Sequence, residues 1–273
     1  MKKSFVVPSG ADKTLVEFLC ENLETVSAKN IKKQLKAKEI RVNGVRLDEN
    51  VTLIGGEKVE IFIPSFMERK IDIKIVYADE NIVVADKPVS CGTETTLTDF
   101  IRSAYPTARP VHRLDMNTTG LVVFALNDFA YEELLRVFKD RSIEKYYTAL
   151  VWGKFEKQSD TLVAYLKKDS DKSLCSVSAV PQKGYEKIVT EYETIEEYEN
   201  SSLLSVKLVT GKTHQIRAHL AFEGHPVLGD GKYGSNEINA RFPYKFQQLR
   251  AVKIIFPTMK GALLYLSGKE ISV

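Results

Sequence analysis

Arg109-Pro110-Val111-His112-Arg113-Leu114-Asp115-Met116-Asn117-Thr118-Thr119-Gly120-Leu121-Val122-Val123-Phe124-Ala125 sets four ionisable side chains and two threonines just ahead of five apolar residues. The pattern reads as a polar turn anchored by a buried strand. Asp115 is the candidate nucleophile of that turn. A carboxylate with an ordinary pKa of about 3.9 is ionised at neutral pH and attacks without the general base that Ser or Lys would need. That chemistry suits an electrophilic ring or sugar carbon. The competing reading gives Asp115 only a turn-capping task, its carboxylate bound to nearby backbone amides. His-Arg-Leu-Asp is also not the His-Arg-Asp-Leu of protein kinases, and the chain lacks a kinase glycine loop, a Val-Ala-Ile-Lys strand and an Asp-Phe-Gly.

Working outward, the 273 residues suit two domains, or one large and one small. With 44% hydrophobic and 27% charged residues the chain has the means to bury a core. Cys20, Cys91 and Cys175 are odd in number, far apart and without a Cys-x-x-Cys pair, which argues against a disulfide framework or zinc ribbon and fits a reducing cytoplasm. The start of the chain has two lysines and a short apolar run broken by Pro8, which is not a secretory signal. No apolar run approaches the roughly 18 residues of a membrane helix. The net charge of +3 says little about nucleic acid, but its distribution says more. Ser27 to Arg41 carries a local +5 through Lys29, Lys32, Lys33, Lys36, Lys38 and Arg41 against Glu39, so the other 258 residues sum to −2. A basic patch so concentrated is expected of an RNA-facing element, the alternative being a solvated helix face.

The N-terminal stretch reads as two helices and a hairpin. Leu15, Phe18, Leu19 and Leu23 form one apolar stripe, and a second helix begins at Ser27 as N-cap with Ile31 and Leu35 facing inward. Asn43-Gly44 between alternating apolar residues predicts a tight hairpin, and Lys58–Ile63 a further strand after the Gly55-Gly56 turn, ended by Pro64. Ser65–Lys70 reads as a linker. Ile73–Lys87 has the pattern of two strands around an acidic turn. After the Asp115 strand, Asp128 caps a helix with Leu134, Leu135 and Phe138 on its inner face. Glu186–Ser202 carries six glutamates and one lysine with strand-like alternation, a solvated face turned away from substrate. His214, His219 and His225 invite a metal reading, but no His-Glu-x-x-His is present and Arg217 sits among the supposed ligands, so satisfied structural histidines are expected and no metal.

Three stretches together resemble one family. Residues 112–125 are similar to the HRLDxxTSGLLLxA signature of the RluA-type RNA pseudouridine synthases, with Thr118-Thr119 in place of Thr-Ser. Lys145-Tyr146-Tyr147-Thr148-Ala149-Leu150-Val151-Trp152-Gly153 resembles the family's Lys-x-Tyr-x-Ala-x-Val-x-Gly, which selects Tyr147 over Tyr146. Gly211–His219, continuing to Gly234, resembles GRTHQIRxHL…GHPxxGDxxYG with Lys212 for the usual Arg, a change that keeps the charge and loses the planar fork. Asp86-Lys87-Pro88 resembles the family's opening Asn-Lys-Pro with Asp for Asn, and Val89-Ser90-Cys91-Gly92 stands where the family is Gly-rich. Residues 12–63 resemble an S4 RNA-binding domain.

The resemblance implies an α+β fold. It comprises a catalytic domain over 66–273, built on a mixed, mainly antiparallel sheet with the site in a cleft across it, and a small S4-like α/β domain over 1–65. It implies that Asp115 attacks a uridine whose base is cut from the sugar at N1, rotated and rejoined through C5, attack on base or on sugar being left open. It further implies that Arg217 is the carboxylate's partner, Tyr147 stacks on the uracil and assists proton transfer at C5, Ile216 offers an apolar wall and Arg113 fills the vacated stack. A nucleotide flipped out of stacked RNA costs a few kcal/mol, and a buried Asp needs a cation nearby to stay charged. Lys29, Lys32, Lys33 and Lys36 would contact phosphates. No cofactor is expected, because an isomerisation needs no redox, hydrolytic or group-transfer partner. The expected partner is RNA, ribosomal RNA ahead of transfer RNA, and the expected protein is a monomer that works in the cytoplasm without a membrane. The alternative is a non-catalytic RNA-binding or ribosome-assembly factor on the same fold. Intact Asp115, Tyr147 and Arg217 favour the enzyme.

Overall fold

Thr14 starts the first helix, α1 (Leu15–Asn22), with a capping box in which its side chain accepts the Glu17 N–H while the Glu17 carboxylate accepts the Thr14 N–H at 2.9 Å. The structure, a computed structural model, describes residues 2–10, 12–23, 26, 28–63, 73–169 and 174–273. It divides into two compact units, Met1–Asp72 and Ile73–Val273. The expected linker at 65–70, the boundary after residue 65, Pro64 and the Ser27 cap lie outside the described residues.

In the first unit a second helix, α2 (Ala28–Lys36), buries Ile31 and Leu35 and leaves Lys29, Lys32, Lys33 and Lys36 exposed. Four strands, β1 (Lys2–Val6), β2 (Ile40–Val42), β3 (Val45–Leu47) and β4 (Lys58–Phe62), form an antiparallel sheet in the order β1-β4-β2-β3. Asn43 and Gly44 both have positive φ, 49° and 86°, the two-residue hairpin that Asn-Gly favours. Strand β1 was not expected from the sequence, because its five residues pair with β4 along an edge that local pattern does not reveal. Leu15, Phe18, Leu19, Ile31, Leu35, Ile40, Val59 and Ile61 share one core.

The second unit is built on one large sheet. Its strands are β5 (Lys74–Ala78), β6 (Ile82–Lys87), β7 (Arg109–Pro110), β8 (Thr119–Ala125), β9 (Glu144–Trp152), β10 (Ser159–Asp169), β11 (Leu174–Ser178), β12 (Glu186–Glu197), β13 (Ser201–Leu208), β14 (Leu249–Ile255) and β15 (Glu270–Ser272). The main path runs β11-β10-β12-β13-β9-β14-β8-β6-β5, with β15 beside β14 and β7 beside β8. The pairings are antiparallel except β14 with β8. This is the expected mixed, mainly antiparallel sheet.

Its centre explains the opening sequence pattern. Leu121 to Ala125 of β8 are all buried, since the strand is covered on both faces, and such a strand reads as a continuous apolar run rather than an alternation. Gly120, at φ 106°, lets β8 approach β14, because a Cβ there would overlap the Ala251 carbonyl. On one face, α4 (Asp128–Lys139) packs Ala130, Leu134 and Val137 against β6 and β8. Its cap is Asn127, whose side chain accepts the Ala130 N–H at 2.9 Å, and not Asp128, which occupies the first helical turn. Leu135 is exposed and Phe138 is only partly buried, so the inner face is rotated from the expected one. A π-helical turn (Thr93–Leu97) leads into α3 (Thr98–Ala104). Two further helices, α5 (Gln215–Phe222) and α6 (Asn236–Ala240), follow β13. The tight turn before β6 is made by Asp79, whose carboxylate accepts the N–H groups of Asn81 and Ile82. No described helix is long and apolar enough to cross a membrane.

Candidate active site

Asp115 sits in a turn that the backbone closes by itself. Its carbonyl accepts the Thr118 N–H at 3.1 Å, Leu114 exchanges hydrogen bonds with the Thr93 hydroxyl, and the Met116 carbonyl accepts from Lys87 Nζ at 3.0 Å. Gln247 clamps the buried Thr118 hydroxyl at 2.5 Å. The Asp115 carboxylate is therefore not the turn's cap; it takes the Arg217 Nη1–H at 2.7 Å instead.

Lys87 is the support under that turn. It is fully buried and gives its protons to the carbonyls of Pro88, Cys91 and Met116. Burial pushes its pKa down to about 8, with the Cys91 and Asp115 side chains acting the other way. The Asp86 that replaces the family's Asn is balanced by Arg250, whose Nη2 reaches it at 2.7 Å.

Strand alternation selects the tyrosine. Along β9, Lys145, Tyr147, Ala149 and Val151 fall on the buried face, while Tyr146 faces the other way, bonded to Glu144 and beneath the ammonium of Lys253. Tyr147 pairs with Val206 on one side and Ala251 on the other, so it stands mid-sheet. Burial, then the nearby Asp115 charge, pushes its phenol well above the usual range, so it is neutral at working pH.

Arg217 comes from the first turns of α5. Its Nε and Nη2 bind both oxygens of Asp230, at 2.6 and 2.9 Å, leaving Nη1 for Asp115. Burial opposes the charge on each, yet the Arg217 guanidinium and the Lys232 and Tyr233 N–H groups hold the Asp230 carboxyl below the usual range. Asp230 is the Asp of the Gly-Asp pair in the GHPxxGDxxYG-like stretch, a motif position to which the sequence attaches no role. Only its position behind Arg217 gives it one.

Asp115, Tyr147, Ile216, Arg217 and Arg113 line one cleft of about 480 Å³, with Lys145, Arg141, Lys212 and His214 on its walls. Arg113 stands exposed at the rim, paired with Glu94 at 2.9 Å. Lys212 on the cleft wall is held by Glu186, which itself does not line the cleft. Lys29, Lys32, Lys33 and Lys36 belong to the other unit and lie on the exposed face of α2.

The four histidines have separate surroundings. His112 stacks on Phe138 and accepts the Val123 N–H, burial pushing its pKa down to about 3. His225 faces the Trp152 carbonyl and stacks on Phe155. His219 meets Thr190 through Nδ1, and its Nε2 makes no hydrogen bond but lies 3.8 Å from Glu223 Oε1. Among the described residues no group of three His, Cys, Asp or Glu side chains has the spacing of a metal site.

The family model for RNA pseudouridylate synthase matches residues 80–222, which spans the Asp115 turn, Tyr147 and Arg217. The chain belongs to the RNA pseudouridine synthase family. It is 36% identical over 254 residues to an uncharacterized RNA pseudouridine synthase of Aquifex aeolicus, covering 82% of this chain and 78% of that one. It is 28% identical to the ribosomal large subunit pseudouridine synthase C of Vibrio vulnificus, covering 84% and 79%. The human RNA pseudouridylate synthase domain containing 1 superposes with a TM-score of 0.62 at 27% identity, over 68% of this chain and 79% of that one. A second human structure, domain containing 4, shares the fold at a TM-score of 0.60. This synthase is thus an isomerase of uridine in RNA, and the binding-only reading gives way.

Proposed function

We propose that this synthase converts uridine to pseudouridine in ribosomal RNA of the large subunit, with Asp115 as the nucleophile. The observation that carries the assignment is the Arg217 guanidinium shared between Asp115 and the buried Asp230, beside Tyr147, at the floor of the cleft. A relative named as a ribosomal large subunit pseudouridine synthase supports the substrate class.

In this reading a flipped uridine enters the cleft over Tyr147 and against Ile216, and Arg113 leaves Glu94 to fill the stack. Asp115 attacks the nucleotide. The C1′–N1 bond breaks, the uracil turns, C5 bonds to C1′, the bond from Asp115 is broken so that the carboxylate is returned, the C5 proton leaves and N1 takes one up. Arg217 keeps the carboxylate charged beneath the base. Tyr147 stacks on the uracil and assists the proton transfer at C5. We assign residues 1–65 to an S4-like RNA-binding domain and 66–273 to the catalytic domain. Lys29, Lys32, Lys33 and Lys36, exposed on α2, would track phosphates. The working form is a monomer in the cytoplasm.

Pseudouridine mapping of total RNA from cells with and without the protein tests the assignment. A large-subunit ribosomal site lost on deletion and restored by the wild-type chain, but not by Asp115→Asn, is the expected result. Loss of a site in transfer RNA alone would move the substrate.

A further inference from the structure

The mechanism above leaves one contact of the nucleophile unused. His214 Nε2 faces Asp115 Oδ2 at 3.8 Å, on the same oxygen that takes the Arg217 Nη1–H. At its other nitrogen, Nδ1, His214 meets Tyr233 Oη at 2.9 Å, and that phenol oxygen also accepts the Cys175 N–H at 2.8 Å. The residue has a left-handed backbone, φ 55°, at the start of α5. A non-Gly residue there is strained and persists only where its surroundings hold it. Gln215 does the holding, accepting from the Thr210 hydroxyl and the Lys212 N–H while donating to the Val189 carbonyl.

Proton counting favours one tautomer. Tyr233 Oη has one proton to give and already accepts one from Cys175 N–H. The Cys175 thiol is a weak acceptor whose own proton points to the Thr213 carbonyl at 3.2 Å, so the imidazole Nδ1 is the better acceptor for the phenol. With Nδ1 accepting, the proton of a neutral ring lies on Nε2 and faces the carboxylate. The opposite tautomer would aim a lone pair at Asp115.

We propose that His214 is a positioning residue of the isomerase, its Nε2–H tautomer set by Tyr233, which joins Arg217 in holding Oδ2 of Asp115 so that Oδ1 is the oxygen presented to the nucleotide. The proposal rests on Asp115 being the nucleophile. Arg217 makes a single hydrogen bond to Asp115, through Nη1, because Asp230 takes its Nε–Nη2 edge, and one hydrogen bond leaves a carboxylate free to turn. A second donor on the same oxygen removes that freedom. A neutral imidazole does so without adding another positive charge beside the nucleophile, which would blunt it. Burial holds His214 below the usual imidazole range, although Asp115 pulls the other way, and this agrees with a neutral ring. At 3.8 Å this contact is long, as active-site contacts often are before substrate is bound.

The test is tritium release at saturating enzyme from RNA of cells that lack the protein, labelled with [5-³H]uridine, since the isomerisation expels the C5 hydrogen. His214→Ala is expected to lower the saturated rate by about 10- to 100-fold, the size of loss that misplacing a reacting group by an ångström produces, with the half-saturating enzyme concentration unchanged. His214→Gln, whose amide N–H reaches the Nε2 position, recovers most of that loss. Tyr233→Phe slows the His214 enzyme by about tenfold, in the same range, but hardly slows the His214→Gln enzyme, which has no tautomer to set. An unchanged rate for His214→Ala overturns the proposal, as does a Tyr233→Phe effect equally large in both backgrounds. Asp115→Asn run alongside separates the two readings: its full activity sinks the nucleophile, whereas a dead Asp115→Asn beside a fully active His214→Ala sinks only the positioning role.

Discussion

The guanidinium of Arg217 and the carboxylate of Asp230 are joined by two hydrogen bonds, 2.6 and 2.9 Å, with the Asp230 side chain wholly out of solvent. This pair aims the third N–H of Arg217 at Asp115. Removing one member of a buried pair strands the other charge, so Asp230→Asn is expected to lower stability by roughly 3–5 kcal/mol. The Asp230→Asn/Arg217→Met double variant should lose much less than the two single losses added together. Urea unfolding of the four proteins measures the coupling, and additive losses would mean that the pair is not a unit. The carboxyl is held below the usual range when folded, so its contribution is present above about pH 3.9 and fades as pH drops through the lower folded value. Asp230→Asn should lack that most acidic part of the stability profile.

Asp115→Asn should abolish isomerisation and leave RNA affinity unchanged or higher, because it removes the attacking oxygen and one negative charge near phosphates. Single-turnover rates with filter binding on the same preparation separate the two effects. Near-normal turnover would show that another group attacks.

Lys87 gives a signal at the alkaline end. Its pKa falls from 10.5 to about 8 on folding because burial penalises the ammonium. Between those values the unfolded chain holds more protons, so stability rises with pH across that window, by up to about 3 kcal/mol, and below pH 8 the cost is present in full. Lys87→Met should lose this rise relative to wild type in denaturation series from pH 7.5 to 10.5. Parallel slopes in the two proteins would contradict the buried ammonium.

His112 acts at the other end. It is buried with its pKa pushed down to about 3, so the unfolded chain binds its proton first, from pH 6.5 downward. Stability therefore falls with falling pH, by up to about 1.4 kcal/mol per pH step for one proton. His112→Gln keeps an acceptor for the Val123 N–H and should flatten the thermal stability profile between pH 6.5 and 4.5. An unaltered slope would assign acid sensitivity to other groups.

Replacing Lys29, Lys32, Lys33 and Lys36 by Gln should weaken binding to a long RNA and flatten the salt dependence by roughly 0.7–0.9 per lost phosphate contact. The saturated single-turnover rate should survive, since Asp115, Tyr147 and Arg217 belong to the other compact unit. An unchanged salt slope would make these lysines a solvated helix face.

Local pattern was enough for much of the fold. The continuous apolar run 121–125 marked the central strand, Asn43-Gly44 marked the hairpin, and the motifs around Asp115, Tyr147 and Arg217 marked three residues that the fold brings to one cleft. The strand and the hairpin are signals of sequence period and backbone dihedral preference carried by neighbours along the chain, whereas Tyr147 and Arg217 were legible only through the family resemblance of their motifs. Asn127 rather than Asp128 caps α4 because the backbone turns one residue earlier, a choice between two equally good capping side chains that only the β8–α4 junction settles. Strand β1, the three carbonyls around Lys87, the Asp230 carboxylate behind Arg217 and the Tyr233–His214 contact each join residues far apart in the chain or depend on which way a side chain turns. No local pattern encodes such pairings, because they are decided by which surfaces the sheet brings within hydrogen-bond reach. The sequence singled out Asp115, and the tertiary structure decided what holds it.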